Sequence, residues 1–132
     1  MSKENVELVY RWYEAMRRRD AEACVSDSAA DAEIVSYLMG VEGTVYWGHA
    51  GVRRYLDEVF SIFPDWHPEI MGTTDYGDTV IAEIRMAGRG AGSGLDIEQT
   101  TWQVTRFRDG KMAGFTAYGT RAAALEAIGL RE

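Results

Sequence analysis

The chain has 132 residues, 46% of them apolar, enough for one domain with a buried core. Its 21 acidic residues outnumber 14 basic ones for a net charge of -7, so a nucleic-acid surface is not expected. The single cysteine, Cys24, excludes an internal disulfide and fits a reducing compartment; without a long apolar run or a signal-peptide pattern, a cytoplasmic location and no membrane partner are expected.

Ser2 can cap a first helix in which Val6, Val9, Tyr10, Tyr13 and Met16 recur at helical spacing. The basic run Arg17, Arg18 and Arg19 falls at its end, where cations favour the helix dipole. Asp20 can cap a short second helix through Ala23, Cys24 and Val25. "AEIVSY", Ala32 to Tyr37, reads as a brief strand, and Leu38 to Gly48 as a loop. In "AGVRRYLDEVFSIF" the residues Val52, Tyr55, Leu56, Val59, Phe60 and Phe63 make an apolar stripe that Pro64 ends.

The period then changes to two. Strands are expected at Trp66 to Asp75, Thr79 to Gly88, Leu95 to Arg108 and Lys111 to Tyr118, with turns at "DYGD" and "RDG" and a loose hairpin loop at "GRGAGSG". That glycine-rich loop joins two strands and no Lys-Ser/Thr pair follows it, so it is not a phosphate loop. Thr120 caps a closing helix, "RAAALEAI", with Gly129 in the C′ role. Helices followed by an antiparallel meander imply an α+β fold, with helices packed on one face of a curved sheet.

Three helices over such a sheet form a cone that few residues can fill. The long strand alternates unusually: Ile97, Gln99, Thr101, Gln103, Thr105 and Phe107 share one face, while Glu98, Thr100, Trp102, Val104 and Arg106 share the other. The first set suits a ligand pocket with scattered polar groups, and Trp102 with Val104 suits cover by a second copy of the chain.

The "YEAMRRRD" helix end, the "YWGHAGVRRYL" helix entry and "FRDGKMAGFTAYG" resemble the nuclear transport factor 2-like (cystatin-like) fold. Within it the chain is similar to SnoaL-like polyketide cyclases and steroid delta-isomerases over essentially its whole length, which implies a single SnoaL-like domain, 1–132. Counted from Asp20, the resemblance puts the isomerase's oxyanion tyrosine on Trp12, its base aspartate on Ser36 and its protonated aspartate on Gln103. All three depart from the isomerase set. Trp12 and Gln103 can still donate hydrogen bonds, but Ser36 has no acid-base capacity near neutral pH.

Glu83 and Arg85, two apart on one strand, share a face. Inside the cone they would activate a water, an arrangement similar to that of epoxide-hydrolase relatives. Outside they would form a solvated or cross-strand ion pair, and the long hairpin loop leaves the register open. Asp96 and Glu98 read as solvated. His49 and His67 are too far apart in sequence to suggest a metal site, and no metal or other cofactor is expected. Tyr46 and Trp47 are read as aromatic lips over the mouth or as packing against the next helix, and Tyr55 as core. Tyr118 on the last strand can turn its hydroxyl into the cone or away from it. The scattered methionines Met16, Met39, Met71, Met86 and Met112 read as core.

Three functions remain open: a small-molecule isomerase, cyclase or hydrolase with Glu83 as its ionisable group; a non-catalytic hydrophobic-ligand binder using Trp12, Ser36, Trp47, Gln103 and Tyr118; and a dimerisation module. A hydrophobic small molecule and a homodimer through the sheet are the expected partners.

Overall fold

In α1 (Ser2–Arg17) the helical repeat buries Leu8, Val9, Trp12, Tyr13, Ala15 and Met16, whereas Tyr10, on the predicted stripe, is left 47% exposed. The computed structural model describes residues 2–38, 41–62, 64–65, 67–89 and 96–130. The expectations for the Ser2 cap, Met39, Phe63, Trp66 and most of the "GRGAGSG" loop lie outside the described residues and side chains.

Asp20 caps α2 (Ala21–Ser26) by accepting from the Ala23 N–H at 3.1 Å. β1 (Ser28–Leu38) is longer than its predicted core, and the expected loop after it contains a strand, β2 (Val41–Trp47). α3 (Gly48–Ile62) follows directly, with Val52, Tyr55, Leu56 and Val59 buried. Gly51 lets α3 approach β2, because a Cβ there would sit 2.8 Å from the Tyr46 carbonyl carbon.

β3 (His67–Asp75), β4 (Thr79–Arg89), β5 (Asp96–Arg108) and β6 (Lys111–Tyr118) match the four expected strands closely. The "RDG" turn puts Asp109 and Gly110 at positive φ, 53° and 75°, as a two-residue hairpin requires. The six strands run in the order β2-β1-β6-β5-β4-β3 in one curved, unclosed sheet. Its neighbours are antiparallel except β1 and β6, which pair in parallel. Irregular registers at Ser36/Tyr37, Ile70/Gly72 and Arg106/Phe107 bend it.

α1, α2 and α3 cover the inner face, where Ile34, Val80, Ala82, Ile84, Met86 and Phe115 meet the helix stripes. Not every helix shares that face. α4 (Arg121–Ala127), capped by Thr120, packs against β5 and β6 from outside, where Ala124 and Leu125 join Ile81 and Val104 in a second, smaller core. Part of the outer surface expected to receive another copy is therefore covered by the chain's own C-terminal helix.

Candidate functional site

Alternation along β5 turns Thr101, Gln103, Thr105 and Phe107 inward, as the core membership of Phe107 and of the β4 residues beside them shows. Gln103 pairs with Ala82 on one side and Ala117 on the other, so two small side chains flank it. From α1 the Tyr13 hydroxyl donates to Gln103 Oε1. Burial pushes the Tyr13 phenol well above its ordinary value, and this keeps the donating proton in place. The rest of the group is unsatisfied. Gln103 Nε2 and, two residues along the same face, Thr101 Oγ1 are buried with no hydrogen-bond partner among the described residues.

A second polar group lies where α3 meets the β1–β2 edge. Ser36, Thr44, Tyr46, Glu58, Ser61 and Ile62 line a depression of about 480 Å³, with Asp57 at its border. The Tyr46 hydroxyl donates to Glu58 Oε2 at 2.5 Å and also has the Ser36 hydroxyl as a hydrogen-bond partner. Burial, then the adjoining Glu58 carboxylate, raises the Tyr46 pKa, so the phenol stays protonated and the carboxylate is its acceptor. The Arg54 guanidinium stacks 4.8 Å from the centre of the Tyr46 ring. Edge-to-face contacts run from Tyr46 through Tyr55, Phe115 and Trp12 to Tyr13, with centroids 5.4, 5.6, 5.8 and 5.7 Å apart, and tie the two polar groups through one aromatic wall.

The family model for the SnoaL-like domain matches residues 9–115, from within α1 to within β6. This chain belongs to the SnoaL-like domain family. No curated protein matches it. Among solved structures, a SnoaL-like chain from Jannaschia sp. CCS1, named for its likeness to polyketide cyclases, aligns with TM-score 0.79 and 17% identity over 96% of this chain and 92% of that one. A protein of ketosteroid isomerase-like fold from Catenulispora acidiphila, crystallised with trimethylamine, gives 0.77 and 20% over 94% and 93%. An uncharacterized cystatin-fold protein from Novosphingobium aromaticivorans gives 0.75 and 25% over 89% and 98%. The first two likenesses establish a shared fold and no more.

On this SnoaL-like scaffold the predicted residues separate. Gln103 and Ser36 face inward and are buried. Trp12 is also buried, but its indole N–H donates to the Cys24 carbonyl at 3.2 Å, so it fastens α1 to α2 and cannot serve a ligand at the same time. The interior hydroxyl comes from its neighbour Tyr13, because one residue turns a helix by about 100°. Trp47 follows inward-facing Tyr46 on β2 and so points out of the sheet, 64% exposed; it is not a lip. Tyr118 pairs with Trp102 on the outer face and packs with α4, so its side chain does not point to the helix-covered face.

Glu83 is on the outer face as well, directly across from Trp102. Its expected partner Arg85 is bidentate to Glu98, at 2.8 and 3.0 Å, and 3.8 Å from Glu69. The cross-strand ion-pair reading therefore holds for Arg85, and Glu83 does not face the helix-covered interior. Asp96 pairs loosely with Arg89 at 3.5 Å. His49 Nε2 lies 2.9 Å from the Ser28 carbonyl, joining the start of α3 to β1, and His67 is exposed on β3. Among the described residues no three metal-ligating side chains converge, and no helix is long and apolar enough to cross a membrane. Sequence reasoning missed the roles of Tyr13 and Glu58. Both sit at ordinary helix positions, and only the fold reveals what they face.

Proposed function

We propose that this SnoaL-like chain takes a hydrophobic small molecule into the helix-covered side of its sheet and binds a carbonyl or similar acceptor oxygen with Gln103 Nε2 and Thr101 Oγ1. A single observation carries the reading: two neighbouring buried polar groups lack partners among the described residues. Each such group costs about 1–3 kcal/mol, so the pair costs roughly 2–6 kcal/mol against a typical total stability of about 5–15. A sequence under selection only for stability replaces them with apolar residues; a ligand oxygen removes the penalty. The surrounding Ala82, Ile84, Phe115 and Ala117 favour an apolar or aromatic body for the rest of that molecule.

Neither Gln103 Nε2 nor Thr101 Oγ1 exchanges a proton near neutral pH, so by themselves they bind and polarise but move no proton. The enzyme reading, an isomerase, cyclase or hydrolase, requires a carboxylate from elsewhere in the site. A second copy of the chain against the outer face belongs to the same proposal. Trp102 Nε1 is buried there beside Glu83 without a partner among the described residues, and Met71 is 52% exposed.

The aryl ketone 6-acetyl-2-(dimethylamino)naphthalene tests the binding claim, because its emission shifts to the blue on burial and responds to hydrogen bonding at its carbonyl. The expected result is saturable binding to the wild type that weakens about tenfold or more in Gln103→Leu/Thr101→Val, the loss of two hydrogen bonds. Equal affinity in the double variant would remove the proposal.

A further inference from the structure

At 0% and 1% exposure, Thr101 and Gln103 meet a ligand only after part of the surrounding shell opens. A depression in the seam between α1 and β3 has a wall residue bonded to one of them. It holds about 380 Å³ and is lined by Tyr10, Arg11, Tyr13, Glu14, Arg17 and Ile70. Tyr13 borders this depression and, with its hydroxyl, holds Gln103 Oε1 on the interior side. Ile70 leads to the other donor. It pairs with Ile84, and Ile84 pairs with Thr101, so the three stand in one row across the sheet.

α1 itself is anchored on both sides of that spot. Asn5 Nδ2 donates to the Gly77 carbonyl and Arg17 Nε to the Pro68 carbonyl, both at 2.9 Å, while the Trp12 indole holds the Cys24 carbonyl. Between Asn5 and Arg17 no hydrogen bond or ion pair joins α1 to β3 among the described residues. The helix can therefore stay in place while one side chain turns. Rotation of Tyr13 about its Cα–Cβ bond to another staggered position breaks one hydrogen bond and takes the phenol away from Gln103. Outside, Tyr10 is 47% exposed and lines both this depression and a neighbouring one that includes Val6 and Asp75. An exposed aromatic ring shared by two adjoining depressions is an apolar approach to the seam.

We propose that Tyr13 is the gate of the interior site and the α1–β3 seam its entrance. An apolar or aromatic molecule settles on Tyr10 and Ile70, the Tyr13 ring turns aside into the seam, and the molecule passes over Ile70 and Ile84 to Thr101 and Gln103. The ring then swings back, restores its bond to Gln103 Oε1 and retains what has entered. What enters rests on the binding reading above, but the opening is measurable with no ligand present.

The test labels Thr101→Cys with methyl methanethiosulfonate, a small neutral thiol reagent, and reads each site by peptide mass spectrometry. Cys24, fully buried on α2, is the reference for opening of the whole fold. The thiol of Thr101→Cys should react about tenfold or more faster than Cys24, because a local opening is more frequent than global unfolding. Adding Ile70→Phe, which fills the seam, should slow that thiol about fivefold or more and leave Cys24 unchanged. Tyr10→Trp, which adds bulk at an exposed position of the same depression, should act in the same direction. Ile62→Phe, in the depression beside α3, should leave both rates as they are. A folding defect speeds labelling, so slowing cannot come from damage. Equal rates at the two thiols, no slowing in either seam variant, or equal slowing in Ile62→Phe would each overturn the gate. If no ketone binds while this labelling pattern holds, the binding reading falls and the opening stands; ketone binding without the pattern gives the reverse.

Discussion

Replacing Tyr13 and Gln103 together by Phe and Leu tests whether the interior donors are a burden that the empty protein carries. In the wild type, among the described residues, Gln103 makes one hydrogen bond, from Tyr13, and Nε2 has no partner at 1% residue exposure. Tyr13→Phe alone strands the Gln103 carbonyl as well, a loss of about 1–3 kcal/mol. Gln103→Leu alone removes the stranded amide but orphans the Tyr13 hydroxyl, so two changes of about 1–3 kcal/mol oppose each other and the net is near zero. The double variant removes every polar atom of the pair. It forgoes about 1 kcal/mol of hydrogen bond and relieves about 1–3 kcal/mol of unsatisfied amide, for a net gain of about 0–2 kcal/mol. The double variant should therefore be more stable than the sum of the single changes by about 3 kcal/mol, a coupling well within reach of a double-mutant cycle. Urea unfolding followed by far-UV circular dichroism measures it, with m checked for constancy. A double variant less stable than the wild type by more than about 2 kcal/mol would refute the reasoning, because it would mean that the amide nitrogen is satisfied or that its packing dominates.

Two further outcomes follow from the packing. Gly114 has φ 153°, and a Cβ there would sit 2.2 Å from the Glu33 carbonyl oxygen of the paired strand, so Gly114→Ala should lose about 3 kcal/mol or more or fail to fold; a thermal midpoint within a few degrees of wild type would contradict the tight β1–β6 approach. Cys24 is fully buried and its thiol is pushed up to about 12, first by burial and then by Asp20 and Asp27, whereas an unfolded thiol ionises near 9.0. Its contribution is fully present below the unfolded value and is lost as pH rises toward the folded one, by up to about 1.4 kcal/mol per pH unit. Urea midpoints should fall from pH 9 to 11, less steeply in Cys24→Ala, with buried Tyr13 and Tyr55, both raised by burial, adding to the decline above pH 10. Parallel curves for the two proteins would count against it.

Periodicity made the elements legible wherever one face is uniformly apolar. The stripe from Val52 to Val59 located α3, and the positive-φ pair Asp109–Gly110 made the end of β5 and the start of β6 visible. β2 was hidden because Gly43 and Thr44 break its alternation and its pairing with β1 slips at Ser36/Tyr37. The inward face of β5 followed from simple alternation, so the direction of Gln103 was legible. Which way Glu83 points depends on the β4–β5 register across a long hairpin, and that of Tyr118 on a register shift at Arg106/Phe107; neither is a local property. Tyr13 lay one position from the residue that resemblance selected, an error of about 100° of helix rotation that no periodicity corrects. α4 gave no hint of its side of the sheet, since its buried face is little more than Ala124 and Leu125.

The polarity of the two groups has a common physical origin in desolvation. At 1% exposure an ionised side chain in place of Gln103 would lose its hydration with only the Tyr13 hydroxyl to replace it, a penalty of several kcal/mol, so neutral donors are what the floor can hold. Glu58 stands on the exposed flank of α3, where water supports the charge and one phenol is enough to orient it.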